Sequence, residues 1–123
     1  MPLDVLIVDD SAAIRKILQR VLRQTDVEIR EVYEAGDGLE ALEILKKHRV
    51  HLVLADVNMP NMNGMQLLAH LKSTAEWQNL PVILVTTEGS QSKVMEAAQL
   101  GAAGYIRKPF SAEQIQDKIS TLF

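Results

Sequence analysis

Apolar and polar positions follow two different rhythms along this chain. Leu3-Asp4-Val5-Leu6-Ile7-Val8 is a short, nearly continuous apolar run. Such a run suits a strand covered on both faces, as in a parallel sheet, although periodicity by itself leaves a buried helix open. From Ser11 to Gln24 the rhythm changes. Ile14, Ile17, Leu18, Val21 and Leu22 recur at helical spacing, and Arg15, Lys16, Gln19, Arg20 and Arg23 take the other face. That pattern predicts an amphipathic helix.

The alternation then repeats to the end of the chain. Ile29 to Ala35 reads as a strand. Asp37-Gly38 opens a second helix that turns Leu39, Leu42, Ile44 and Leu45 inward. Leu52-Val53-Leu54-Ala55 is a third strand, and Val57 to Asn63 is a loop rich in Asn and Pro. Gly64 to Ser73 forms a third helix through Leu67, Leu68 and Leu71. Pro81 to Val85 is a fourth strand, with its Pro at the permitted first position. Ser92 to Leu100 is a fourth helix, stopped by Gly101. Gly104 to Arg107 is a short fifth strand. Ser111 and Gln114 have capping-box spacing and open a fifth helix that runs to about Leu122. Strands and helices in strict alternation imply an α/β fold: a parallel sheet, right-handed crossovers and helices on both faces. The alternation uses the whole chain, so a single domain over residues 1–123 is expected.

Composition narrows the function. The 123 residues include no Cys, which removes disulfides, zinc ribbons, Fe–S clusters and thiol nucleophiles. Thirteen basic against sixteen acidic residues leave a net charge of −3, without the basic surplus of a nucleic-acid binder. No apolar run approaches the ~20 residues of a membrane span. Met1-Pro2-Leu3-Asp4 has no basic start, and Asp4, Asp9 and Asp10 interrupt the early apolar stretch, so no signal peptide is expected. The expectation is a soluble cytoplasmic monomer.

In an open parallel sheet, ligands bind beyond the carboxyl ends of the strands. Asp9 and Asp10 follow the first strand, Asp56 the third, Thr86 the fourth and Lys108 the fifth. Each alone has an ordinary explanation. Asp9, Asp10 or Ser11 can cap a helix, Asp56 can form a turn, and Lys108 can be a solvated lysine. Together they put three carboxylates at one edge, which like-charge repulsion disfavours unless a cation binds. Hard oxygen ligands without Cys point to Mg²⁺ or a similar ion. Lys108 and Thr86 add the positive charge and hydroxyl that an anionic phosphoryl group needs. The residues read as a metal-assisted phosphoryl site, with one carboxylate as a candidate nucleophile.

Val8-Asp9-Asp10, Leu54-Ala55-Asp56 with Met59-Pro60 and Gly64, Val85-Thr86-Thr87 and Lys108-Pro109-Phe110 stand in order, each at a strand end. In these motifs the sequence resembles the response-regulator receiver domains, most of all the stand-alone chemotaxis type. The resemblance covers essentially the whole chain. It implies a flavodoxin-like receiver fold with strand order 2-1-3-4-5. It also implies that Asp56 accepts a phosphoryl group from a phosphohistidine on a histidine kinase. Asp10 and Asp56 would then ligate Mg²⁺ directly with the backbone carbonyl of Asn58, and Asp9 would act largely through water. Thr86 would move inward to a phosphoryl oxygen, and Lys108 would pair with the phosphoryl group. Tyr105 stands where the family places its switch aromatic; a half-buried strand tyrosine reads equally well there. The Lys108-Pro109 bond would be cis.

Asn58 and Glu88 match chemotaxis regulators that lose their phosphoryl group quickly. Thr87 departs from the small residue often found there, and its β-branch is expected to narrow access to the site. Val57 departs from the tryptophan of some relatives. Other conspicuous residues are read as structural. His48, His51 and His70 lie in helix or helix-end settings without ligand spacing, and Met59, Met62 and Met65 fill gaps. Lys46-Lys47-His48-Arg49 is a solvated helix end.

The function implied is phosphorylation-controlled binding to a downstream protein such as the flagellar motor switch, with a phosphatase as a further partner. It is a signalling role, not that of an enzyme, beyond promoting its own phosphotransfer and dephosphorylation. Phosphorelay transfer and control of a target outside chemotaxis are the neighbouring readings. An aspartyl-nucleophile phosphatase would want a second acid where Asn58 stands. A flavin binder would want a hydroxyl-rich phosphate loop where Asp9-Asp10 stand.

Overall fold

A computed structural model describes residues 2–123 of the chain. Five strands alternate with five helices: β1 (Leu3–Val8), α1 (Ala12–Gln24), β2 (Ile29–Ala35), α2 (Gly38–Lys47), β3 (Leu52–Ala55), α3 (Gly64–Lys72), β4 (Val82–Thr86), α4 (Gln91–Leu100), β5 (Gly104–Arg107) and α5 (Ala112–Ser120). The strands are parallel, in the order β2-β1-β3-β4-β5.

Strand side chains alternate between two apolar layers. Leu6, Val8, Val53, Ala55, Val82 and Leu84 pack with α2, α3 and Ala97 of α4. Val5, Ile7, Leu54, Ile83 and Val85 pack with Leu18 and Leu22 of α1 and Ile115 and Ile119 of α5. Because helices cover both faces, the central strands have no solvent side, and that is why their sequences are continuously apolar. The edge strand β2 is only half-buried and carries Arg30, Glu31 and Glu34.

Local chemistry sets the helix boundaries. Ser11, Asp37, Asn63, Ser90 and Ser111 each accept a backbone N–H of the first turn. Such caps stabilise by about 1 kcal/mol each. The expected box at Ser111 and Gln114 is formed, and Asn63 with Gln66 forms a second. Gly101 ends α4 at φ 96°, in the left-handed region where a side chain would strain the backbone.

Several details differ from the sequence reading. Ser11 alone caps α1, so neither Asp9 nor Asp10 is spent there. Leu39 is exposed, because the buried stripe of α2 runs through Gly38, Ala41, Leu42 and Leu45 and leaves it outside. Ile17 is also exposed; with Ile14, Val21, Pro109 and Phe110 it lines a groove of about 340 Å³. β4 begins at Val82, although the Pro81 carbonyl already accepts the Val53 N–H. α4 starts at Gln91, and α5 closes at Ser120. His51 precedes β3 rather than ending a helix, and its Nδ1 accepts the Asp4 N–H at 3.0 Å. The methionines pack as expected: Met65 is buried, and Met59 and Met62 lie against the same layer.

Candidate functional site

Strand register brings the acidic residues together. Val8 pairs with Ala35 on one side and Ala55 on the other, so the next residues, Asp9 and Asp56, leave the sheet side by side. Asp9 N–H donates to the Ala35 carbonyl at 3.0 Å, and Asp56 N–H to the Val8 carbonyl at 2.9 Å. Carboxylate oxygens of Asp9, Asp10 and Asp56 lie within 4.8 Å of one another. Burial grades from Asp9, buried, through Asp56, half-buried, to Asp10, exposed.

Their engagements differ just as sharply. Asp9 Oδ1 accepts the Ser11 N–H at 2.9 Å, and Oδ2 accepts Lys108 Nζ at 2.8 Å. Its carbonyl accepts Nη1 of Arg15 at 2.7 Å, and the same guanidinium pairs with Glu34 at 3.0 Å. The ammonium of Lys108 also reaches Asp56 Oδ2 at 3.4 Å, so one cation bridges two carboxylates. No hydrogen bond or ion pair among the described residues holds the Asp10 carboxylate. That set of hard oxygens, one uncommitted and facing solvent, fits a small divalent cation that keeps several waters.

Lys108 is positioned by the sheet. Thr86 pairs with Arg107, and the Lys108 N–H donates to the Thr86 carbonyl at 2.9 Å. The following Lys108–Pro109 bond is cis, as the resemblance implies. Thr86 is fully buried, and its Oγ1 accepts the Glu88 N–H at 3.2 Å, leaving its own proton free to donate. The Tyr105 hydroxyl donates to the Glu88 carbonyl. Thr86 and Tyr105 therefore grip opposite ends of one loop residue. Burial pushes the Tyr105 phenol above its ordinary pKa, with smaller contributions from the negative charges of Glu88 and Asp56.

The loop after Asp56 is held by contacts that motif reading does not show. Asn58 itself is exposed. Asp37 accepts the Glu40 N–H at 2.9 Å and Nδ2 of Asn61 at 2.7 Å, with Asn61 at φ 64°. The Glu40 and Asn61 bonds outweigh desolvation and hold the Asp37 carboxyl below its usual range. The Gly38 N–H donates to the Met62 carbonyl at 2.9 Å. A Cβ on Gly64 would sit 2.0 Å from the Asp56 carbonyl oxygen, so only glycine lets α3 start this close to Asp56. Arg15, Asn61 and Asp37 were missed as contributors. An arginine in the first turn of the helix that follows Asp9-Asp10 was the available signal for the first; nothing local indicated the Asp37–Asn61 contact.

Among the described residues, no helix is long and apolar enough to cross a membrane. The family model of the response regulator receiver domain matches residues 5–120. The chain is 41% identical over 119 residues to chemotaxis protein CheY-3 of Vibrio cholerae, covering 97% of this chain and 90% of that protein. It superposes on the structure of Vibrio cholerae CheY4 with a TM-score of 0.88 at 32% identity, covering both chains fully. The Mn²⁺-bound form of response regulator Rcp1 matches with a TM-score of 0.85 at 26% identity, over 98% of this chain and 94% of that one.

Proposed function

The chain belongs to the response regulator receiver domain family, and from that membership we propose a stand-alone regulator phosphorylated on Asp56. One observation carries this reading. Lys108 bridges Asp9 and Asp56 at 2.8 and 3.4 Å while Asp10 stays uncommitted, which leaves a carboxylate nucleophile beside both a cation and a free metal ligand. Residues 1–123 form one receiver domain acting in the cytoplasm.

A carboxylate oxygen of Asp56 attacks the phosphorus of a phosphohistidine on a sensor kinase. The P–O bond forms as the P–N bond breaks, and the departing imidazole nitrogen takes up a proton. Asp10, Asp56 and the carbonyl of Asn58 would hold Mg²⁺, with Asp9 assisting through water. The relative described as Mn²⁺-bound supports a divalent ion in this fold. Such an ion would supply positive charge to offset that of the carboxylates and of the incoming phosphoryl oxygens. Lys108 shifts from Asp9 towards the phosphoryl oxygens, and the Thr86 hydroxyl donates its free proton to one of them.

Switching follows from the Glu88 link. If Thr86 turns to the phosphoryl group, its acceptor oxygen leaves the Glu88 N–H, and the carbonyl at the other end of Glu88, which holds Tyr105, is freed to move with that residue. The face around α4, β5 and α5 then changes its affinity for a downstream protein. The relatives named for chemotaxis support a motor-control target. Hydrolysis of the acyl phosphate, alone or with a phosphatase, resets the system.

The test is incubation with Mg²⁺ and acetyl phosphate, followed by intact-mass measurement. One phosphoryl group should be gained by wild type and none by Asp56→Asn. Equal labelling of the two would overturn the assignment.

A further inference from the structure

We infer that Arg15 is a positioning residue for the cation site, acting on Asp10 through the peptide plane that joins Asp9 to Asp10. The inference rests on the metal reading above. No hydrogen bond or ion pair among the described residues holds the Asp10 carboxylate, so its placement depends on its backbone. Both backbone polar groups of Asp9 are tied. The N–H donates to Ala35 at 3.0 Å, and the carbonyl accepts Arg15 Nη1 at 2.7 Å.

A peptide unit is planar. Fixing the Asp9 carbonyl oxygen therefore fixes the Asp10 nitrogen and Cα; the peptide that follows is held by the Ser11 N–H on Asp9 Oδ1 at 2.9 Å, and the two together set the direction in which the Asp10 side chain leaves. Arg15 is itself aimed by Glu34 on β2, whose carboxylate accepts Nε at 3.0 Å. The guanidinium thus spans from the end of β2 to the β1–α1 turn, using two donors of its rigid fork. Lysine keeps the charge but cannot make both bonds in that geometry.

Charge and position predict opposite signs. Arg15 brings a cation near an acidic site, so as a mere charge its removal should tighten Mg²⁺ binding. As a positioner its removal should weaken binding, typically by 10–100-fold for a residue that orients a ligand from behind. A purely structural role would lower the melting temperature and leave Mg²⁺ affinity unchanged.

Calorimetric titration of the full chain with MgCl₂ distinguishes these. The expected result is about tenfold weaker binding in Arg15→Ala, a similar loss in Arg15→Lys, and a smaller loss in Glu34→Gln. Because Glu34 lies on the half-buried edge strand, Glu34→Gln gives a reading even if Arg15→Ala fails to fold. Saturation of wild type with equal or tighter binding in Arg15→Lys and Glu34→Gln would overturn this inference alone. Failure of wild type to saturate would overturn the metal reading and this inference with it.

Discussion

Arg30 closes a two-pronged bond on the buried carboxylate of Asp4. Its Nε lies 2.9 Å from Oδ1, and its Nη2 lies 2.5 Å from Oδ2. This pair sits at the amino end of β1, opposite the acidic site, and ties the edge strand β2 to the sheet. The Glu31 N–H adds a third bond to Oδ1 at 3.2 Å. The Arg30 side-chain bond holds the Asp4 carboxyl below its usual range, against the opposing effect of burial. A folded pKa below the unfolded one means the stabilisation is present above the unfolded value, about 3.9, and is lost as pH falls through the folded one. Asp4→Asn should therefore cost about 1.5–3 kcal/mol at pH 7. It should also flatten the acid limb of the stability curve. Urea melts of both proteins from pH 7 to pH 2.5 check this; parallel curves would refute it.

Asp10→Asn should melt higher than wild type in EDTA yet gain far less from Mg²⁺. Two unit charges about 5 Å apart repel by roughly 3 kcal/mol at an effective dielectric of 20, and exposure screens Asp10 well below that. The apo gain should thus be about 2–4 °C. Wild type should gain about 2.7 kcal/mol at a Mg²⁺ concentration a hundred times its Kd. Equal Mg²⁺ stabilisation in thermal melts would remove Asp10 from the ligand set.

Gly64→Ala should destabilise by about 3 kcal/mol or more, since its Cβ meets the Asp56 backbone oxygen at 2.0 Å and backbone cannot swing away. Any relief must displace the end of β3, so labelling by acetyl phosphate should fall as well. Chemical denaturation and intact mass measure the two effects. A variant within 1 kcal/mol of wild type would contradict the close approach.

Trp77 fluorescence should not respond to Mg²⁺. The indole lines a cleft of about 590 Å³ with Leu45, Val50 and Pro81, at the amino ends of β3 and β4. The carboxylates lie at the carboxyl ends. Five strand residues at roughly 3.3 Å each put about 16 Å between the two levels. Quenching by saturating Mg²⁺ at constant ionic strength would show a metal site near Trp77.

Lys108→Ala should retain part of the labelling by acetyl phosphate while losing most of the response of Tyr105 to phosphorylation. Asp9 and Asp56 lose the cation that bridges them, but the nucleophile remains. Intact mass and the ultraviolet absorbance of the tyrosines read the two effects. An unaltered tyrosine response would show that Lys108 does not couple the site to the switch.

The elements of the fold, and which residues stand at the strand ends, were legible in the sequence because both are periodic and local. Apolar runs without a polar face suited strands covered twice, and the 3.6-residue stripes of α1 and α3 pointed to helices beside them. Asp9, Asp10, Asp56, Thr86 and Lys108 could be singled out because each stands at or just past the end of a strand. Which side of a helix meets solvent was less legible, since an apolar stripe wider than its contact leaves residues such as Ile17 outside it. Only the tertiary structure decided how these residues are committed. Strand register, set by hydrogen bonds between segments some fifty residues apart, placed Asp9 beside Asp56. The capture of Asp9 by Lys108, of its carbonyl by Arg15, and of Asp4 by Arg30 and His51 all join residues distant in sequence. Pairings of that kind leave no periodic trace, because the chain positions that meet are fixed by packing and not by spacing.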